Sequence, residues 1–476
     1  MRDTRELVAK LGPQLKEKVF TLGELVACAT QENISLSTLV VVEAQAREGK
    51  SEKEILDGVR AQFDHNLRAM ELGLQSGKSF LLGTVGSDLV AAGDKALIDD
   101  RFINNALVNT LATEVGNHEV GLRPCAGTGD SCPYTGLVKA MQQEGYTGEQ
   151  VAYSMALILK IGSVFRSGKR TTGCNMEGYG AGAAVTAAVL TELRGGTPEQ
   201  VAKAIVLAMS PTIAVPCTPR VMVSGLCSTH IGGAILMGNL AANLVLRTSL
   251  PVDVDVDVML AMAARVHVDA APVITKINHG YLLPYFKKNA AVDRFVDESV
   301  KRHEADEVSQ VLENSRMEVR RMLEASKPLT QCFGDVVVGG SSIAVGSPTN
   351  MARIANAMTR GEIRKIEIEL TSDLFVRRAI NIPAILMAAV LGAKTDDIDA
   401  YKNIFTHPAM QHIDISVTHI DIPEVQRIRI TATGGSVFLD SRNRGGGRVG
   451  LLAAEPSLES AIAAAEKLGI QLVEKG

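Results

Sequence analysis

Three cysteines stand out in this 476-residue chain by their settings. Cys174 lies in Thr171-Thr172-Gly173-Cys174-Asn175-Met176-Glu177, Cys217 in Pro216-Cys217-Thr218-Pro219-Arg220, and Cys227 in Gly225-Leu226-Cys227-Ser228-Thr229-His230. Cys217 follows Cys174 by 43 residues and Cys227 follows Cys217 by 10. Gly173 precedes one and Pro216 another, and both residue types keep a chain out of ordinary helix geometry, so the thiolates can turn into a shared pocket. Three thiolates can hold three irons of a cubane cluster and leave the fourth open. The same three with His230 as a fourth donor would suit tetrahedral zinc. Plain buried thiols fit the spacing as well, and spacing alone leaves all three readings open.

A second stretch runs from Glu114 to Gly136. Its core, Arg123-Pro124-Cys125-Ala126-Gly127-Thr128-Gly129-Asp130-Ser131-Cys132-Pro133, is dense in glycines and small hydroxyls and bounded by prolines. Such a loop lets backbone N–H groups approach an anion where a helix begins after it. It could equally be a tight helix–helix connection.

The elements that must hold these segments read as helices over the first two thirds of the chain. Ser51 with Glu54 makes a capping box, after which Ile55, Val59, Phe63, Leu67 and Met70 recur on one face until Gly77 stops the helix. Thr147 with Gln150 and Thr197 with Gln200 open two further helices, each leading into a nearly all-apolar run that predicts burial on most sides. Glu304–Lys327 is strongly charged and predicts a surface or bridging helix. Beyond Pro328 the period changes to two. Asp335–Val338, Lys365–Leu370, Asp414–Thr418, Arg427–Thr433 and Ser436–Asp440 read as strands, with helices over Ala352–Met358, Ala379–Leu391 and Ser457–Leu468. The expectation is a multidomain chain: an N-terminal all-α domain over residues 1–330 that carries the site, then a C-terminal α+β domain over 331–476.

Composition narrows the partners. With 46% hydrophobic and 21% charged residues the chain is that of a soluble globular protein, and a net charge of −4 without basic blocks argues against nucleic acid and anionic membrane. The N-terminus lacks the apolar core of a signal peptide. The longest apolar runs, Ile231–Leu246 and Ala379–Leu391, are interrupted by Asn, Gly or Pro and are expected to fall short of a membrane span. A cytoplasmic setting follows, in which the seven cysteines are reduced thiols, ligands or core residues rather than disulfides.

The chain resembles the iron–sulfur-dependent L-serine dehydratases. Gly173-Cys174-Asn175-Met176-Glu177 resembles that family's Gly-Cys-Gln-Ala-Glu, and Cys217-x-Pro219 followed by Cys227 its Cys-Asp-Pro…Pro-Cys, here with Leu226 before the last cysteine. Pro124-Cys125-Ala126-Gly127 resembles its substrate-binding Pro-Thr-Ala-Gly loop. Ile34-Ser35-Leu36-Ser37 and Gly195-Gly196-Thr197-Pro198-Glu199-Gln200 match as well. The C-terminal part is similar to the family's β-region: Val345-Gly346-Ser347-Pro348-Thr349-Asn350-Met351 stands where the family writes Gly-Pro-Ser-Ser-Ser-His-Thr-Met-Gly-Pro, without the histidine, and Gly445-Gly446-Gly447 resembles its closing glycines.

The resemblance implies that Cys174, Cys217 and Cys227 ligate a [4Fe–4S] cluster whose open iron takes a small hydroxy amino acid such as L-serine. It implies substrate contacts from Ala126, Gly127, Thr128, Gly129, Ser131, Asn175, Ser347, Thr349 and Asn350. An open iron would make the enzyme oxygen-sensitive and help a hydroxyl leave, while a base removes the proton on the adjacent carbon. His230, three residues past a proposed ligand, is the first choice for that base; His118, His279 and Lys169 are the others, each with a structural alternative. Arg166, Lys169, Arg170 and Arg220 could neutralise the substrate carboxylate or form a solvated helix end. Loss of sulfide from L-cysteine, dehydration of another hydroxy acid, and a non-catalytic iron–sulfur sensor are the rivals. The bridging helices predict a homo-oligomer.

Overall fold

The computed structural model describes residues 4–93, 97–125, 131–168, 176–213, 223, 225–331, 333–334, 336–340 and 342–473. It divides into two compact units, Met1–Glu318 and Val319–Gly476.

The first unit is helical, as expected. Among its described residues are α1 (Thr4–Glu17), α2 (Leu22–Glu32), α3 (Leu36–Glu48), α4 (Glu52–Ser76), α5 (Val85–Ala92), α6 (Arg101–Val120), α7 (Ser131–Gln143) and α8 (Gly148–Gly168). A π-helix, Met176–Ala181, leads into α9 (Gly182–Leu193), followed by α10 (Pro198–Met209), α11 (Leu226–Arg247), α12 (Val256–Leu282) and α13 (Glu298–Glu324), which runs across the boundary at Glu318 into the second unit. The local signals act as read. Ser51 and Glu54 close a reciprocal capping box at the start of α4, and Gly77 ends that helix in the left-handed region at φ +66°. Thr197 and Gln200 close another at α10, and Thr147 and Gln150 a third at α8. Helix α13 buries none of its residues, in keeping with its charge.

Small residues let the central helices approach closely. A Cβ at Gly116 of α6 would lie 1.8 Å from the Ala69 carbonyl oxygen of α4, and one at Gly73 of α4 would lie 1.9 Å from that of Ala112. Helices α6 and α7 meet at Gly136, and α9 and α11 at Gly238, in the same manner. The core around them contains Leu36, Leu39, Ile103, Tyr134, Leu157 and Ile161, each at most 1% exposed.

The second unit is α+β. Its five-stranded sheet has the order β2 (Asp414–Ile420), β1 (Ile363–Thr371), β3 (Val425–Ala432), β4 (Gly435–Asn443), β5 (Val449–Glu455); β1 and β2 are parallel and the other neighbours antiparallel. The helices α14 (Ser342–Met358), α15 (Arg378–Leu391) and α16 (Leu458–Lys467) share a core with it through Met351, Ile354, Ile385, Met387, Ala461 and Ala465. Strand β5 was not expected. Conversely, the strand expected at Asp335–Val338 is corrected: residues 336–338 are irregular, and the one ladder-like bond there runs from Val338 N–H to the Thr395 carbonyl.

The expectation about apolar runs is also corrected. Among the described residues, Leu226–Arg247 and Val256–Tyr285 are long and apolar enough to cross a membrane by length and composition, and the bent pair α2–α3 passes the same test jointly. Asn239 and Asn243 do not break α11: both amides accept from the Arg194 guanidinium, at 2.9 and 3.1 Å.

Candidate functional site

The described ends of three segments meet: the start of α7, the π-helix before α9, and the start of α11. A Cβ at Gly182 would touch Pro133 of α7 at 2.8 Å and Ala234 of α11 at 3.0 Å. Tyr179 of the π-helix stacks edge-on against His230 of α11, with ring centroids 5.2 Å apart at 65°. Each of these ends follows, in sequence, one of the loops singled out above.

Cys227 occupies the first turn of α11, directly after Gly225, whose φ of +84° sets the entry to the helix. It is 5% exposed and packs on Leu82 and Val115. Burial pushes its thiol up to about 12, with the Glu114 carboxyl adding to the shift, while backbone N–H groups of the helix start pull the other way. A thiolate here therefore needs a cation beside it, and a metal is the kind of partner that deprotonates a thiol outright.

Glu114, in the middle of α6, is buried, and loss of water holds its carboxyl above the usual range. Cys132 donates its thiol hydrogen to Glu114 Oε2 at 2.9 Å, and His118 Nε2 lies 3.5 Å from Oε1, one turn along α6. His118 Nδ1 meets the Ser79 hydroxyl at 3.1 Å, which belongs to the short Ser79–Gly83 bridge. His230, one turn beyond Cys227, is 4% exposed. The structure thus brings His118, Glu114, Cys132, Cys227 and His230 to one end of the bundle. Sequence reasoning missed Glu114 and Cys132. The available signal was a carboxylate on the inward face of α6, in step with Ile103, Leu107 and Leu111.

Next to this lies a cavity of about 390 Å³ lined by Asn66, Arg123, Cys125, Ser131, Tyr134 and Arg166. Asn66 brackets Arg123, donating to its carbonyl at 3.0 Å and accepting from its N–H at 2.8 Å. The Ser131 hydroxyl donates to the same carbonyl at 2.7 Å. Arg166 Nη1 donates to the Pro124 and Cys125 carbonyls at 3.3 and 3.2 Å, so its guanidinium is held against the loop.

The other expected residues divide in two. Cys174, Cys217, Lys169, Ala126, Gly127, Thr128, Gly129 and Asn175, with Arg170 and Arg220, lie outside the described residues. His279 lines a different cavity, of about 480 Å³, with Lys288, Glu304 and Glu307. Ser347, Thr349 and Asn350 belong to α14 of the second unit. Ser347 is fully buried and accepts from Gln426 Nε2 at 3.0 Å. The Thr349 hydroxyl donates to the Val345 carbonyl at 2.7 Å, and Asn350 Nδ2 donates to that of Gly447 at 2.8 Å.

Among the described residues no group of three or more His, Cys, Asp and Glu side chains could hold a metal ion. Of the three expected ligands Cys227 alone lies among the described residues, and its chemistry would suit a cluster: it is buried, it starts a helix whose dipole favours an anion, and its thiolate needs a cation.

The family model described as serine dehydratase alpha chain matches residues 31–279. That span contains all three cysteines, both proline-bounded loops and every residue of the polar end of the bundle named above. Among curated proteins, the chain is similar to the probable L-serine dehydratase, alpha chain, of Bacillus subtilis (strain 168), at 26% identity over 211 residues, which cover 41% of this chain and 68% of that protein.

Proposed function

Because the chain belongs to the serine dehydratase alpha chain family, we propose that it is a cytoplasmic, oxygen-sensitive lyase that eliminates water and ammonia from a small hydroxy amino acid, L-serine first among them. The observation that carries the reading is Cys227, a buried thiol at a helix start, one turn before His230 and beside the Glu114–His118 pair.

In this proposal Cys174, Cys217 and Cys227 hold a [4Fe–4S] cluster. When bound, its open iron supplies Lewis acidity that makes a substrate hydroxyl a better leaving group. The rest is the work of side chains. Loop residues Ala126, Gly127, Thr128, Gly129 and Ser131, with Asn175, hold the substrate carboxylate through backbone N–H groups and hydroxyls, and Arg166, fixed against the Cys125 carbonyl, adds positive charge. His230 or His118 removes the proton on the carbon next to the carboxylate, with Lys169 as the further candidate. Departure of hydroxide from the neighbouring carbon leaves an enamine that hydrolyses to a keto acid and ammonia. His118 has the better support as a proton carrier, because Glu114 and Ser79 hold its two ring nitrogens in place.

The test is anaerobic reconstitution with iron and sulfide, followed by metal analysis, spectroscopy with and without L-serine, and assays for keto acid, ammonia and sulfide. The expected result is a brown protein with about four irons per chain, a signal perturbed by L-serine, and release of ammonia with keto acid. Failure to take up iron and sulfide overturns the cluster. Sulfide released from L-cysteine in preference to turnover of L-serine moves the assignment to the thiol substrate, a reading favoured by the lack of a histidine in Val345–Met351, which stands where the family's motif has one. A loaded cluster with no turnover moves it to a sensor.

A further inference from the structure

Helix α12 is 27 residues long, yet its buried positions, Val256, Met259, Ala263 and His267, stop near its middle. Its N-terminal turn is anchored on α2, where the Gly23 N–H donates to Asp257 Oδ1 at 3.1 Å. The opposite side carries an outward stripe at three- and four-residue intervals: Val258, Met262, Arg265, Asp269 and Val273. The apolar members are 59%, 43% and 61% exposed, and Arg265 and Asp269 pair with each other on the surface. An apolar stripe of this kind on one helix normally faces another element.

The order of the stripe is nearly a palindrome. Counted from His267, Arg265 and Asp269 lie two residues out on either side, and Met262 and Val273 five and six. A two-fold axis through the middle of the helix therefore sets Arg265 of one copy against Asp269 of the other, twice. It also sets Met262 on Val273, within about 1.5 Å of register at a rise of 1.5 Å per residue. This is the self-complementarity an isologous interface requires, where each residue meets its counterpart's partner. We propose that α12 pairs antiparallel with α12 of a second copy of this chain, with Arg265 and Asp269 exchanging partners across the axis.

A lipid surface is the other possible cover for a helix of this length and apolarity. The charge pair argues against it, since it stands in the middle of the helix, where a span would place it in the hydrocarbon centre. The proposal does not rest on the lyase reading, because its readouts are masses.

The experiment is sedimentation velocity of the full chain, with Arg265→Asp, Asp269→Arg, the double variant, and a one-to-one mixture of the two single variants. Wild type is expected to be dimeric or a multiple of the dimer. Each single variant faces like charges across the axis and should dissociate about 100-fold more readily. The mixture should recover the dimer as a heterodimer, and the double variant as a homodimer. Circular dichroism of each single variant checks that the monomer is folded, and recovery in the mixture shows the same for both. A monomeric wild type overturns the proposal, as does a dimer whose dissociation ignores the single substitutions. So does co-sedimentation of monomer with phosphatidylcholine–phosphatidylserine vesicles.

Discussion

Cys227 and Glu114 are neighbours that both resist ionisation for the same reason, namely that each has lost its water. A cation brought to Cys227 relieves both, which ties the cluster proposal to a single side chain. Cys227→Ser, Cys174→Ser and Cys217→Ser are each expected to abolish iron uptake and turnover, measured as iron and sulfide per chain. Cys28→Ser, a change in the hydrophobic core, should retain both; equal loss from Cys28→Ser would show the ligand set to be wrong. Glu192 offers a cleaner view of burial. Its carboxyl accepts from the Ser37 N–H at 3.1 Å, at the start of α3, and desolvation raises its pKa from the ordinary 4.5 despite those bonds. The folded state therefore favours the protonated form. The stability this group lends is complete below the unfolded value and is lost as pH rises through the folded one. Glu192→Gln should thus gain on wild type in melting temperature as pH is raised from about 4.5 toward neutrality. A gap that narrows over that range would mean the N–H bonds outweigh desolvation.

The helices that carry the site are set by contacts between backbones. Gly73 and Gly116 let α4 and α6 touch carbonyl to Cα, and α6 carries Glu114 and His118. A methyl group at Gly116 cannot be absorbed by a side-chain rotation, because the atom it meets is the Ala69 carbonyl oxygen. Gly116→Ala is therefore expected to cost about 1–3 kcal/mol, the range for overpacking, and to lower turnover by shifting His118 relative to Glu114. Gly58→Ala, on the same α4 but with open space around it, is the control and should be neutral or slightly stabilising. Denaturant titration of the three proteins measures the difference. If Gly116→Ala matches Gly58→Ala, the close approach is not what positions α6.

At the scale of the whole molecule there are two separate cores, one among the helices of residues 1–318 and one between the sheet and its helices in 319–476. A ligand that binds only the native form of one unit stabilises that unit by mass action. Anaerobic loading with iron and sulfide should raise the melting transition of the helical unit. The transition of the sheet unit, followed by its β-signal in circular dichroism, should stay where it is. An equal rise in both would place ligands of the cluster in the second unit, against the assignment of the three cysteines.

Much of the fold was legible in the sequence because its signals are local. Capping pairs, apolar periods of three to four and the switch to a period of two each depend on a few neighbouring residues, and the helical unit and the sheet unit follow from them. The three cysteines and their flanking glycine and proline were legible for the same reason. Contact between helices was not. That Glu114 lies against Cys132, 18 residues on, and acts on Cys227, more than a hundred residues away, follows from α6, α7 and α11 packing through Gly136, Gly182 and their small neighbours. No periodicity within one helix encodes which other helix it meets. Ser347 and Thr349 make the converse point: their types and order resemble a substrate loop, and only the tertiary structure shows that Ser347 accepts from Gln426 of β3 and that Thr349 donates within its own helix.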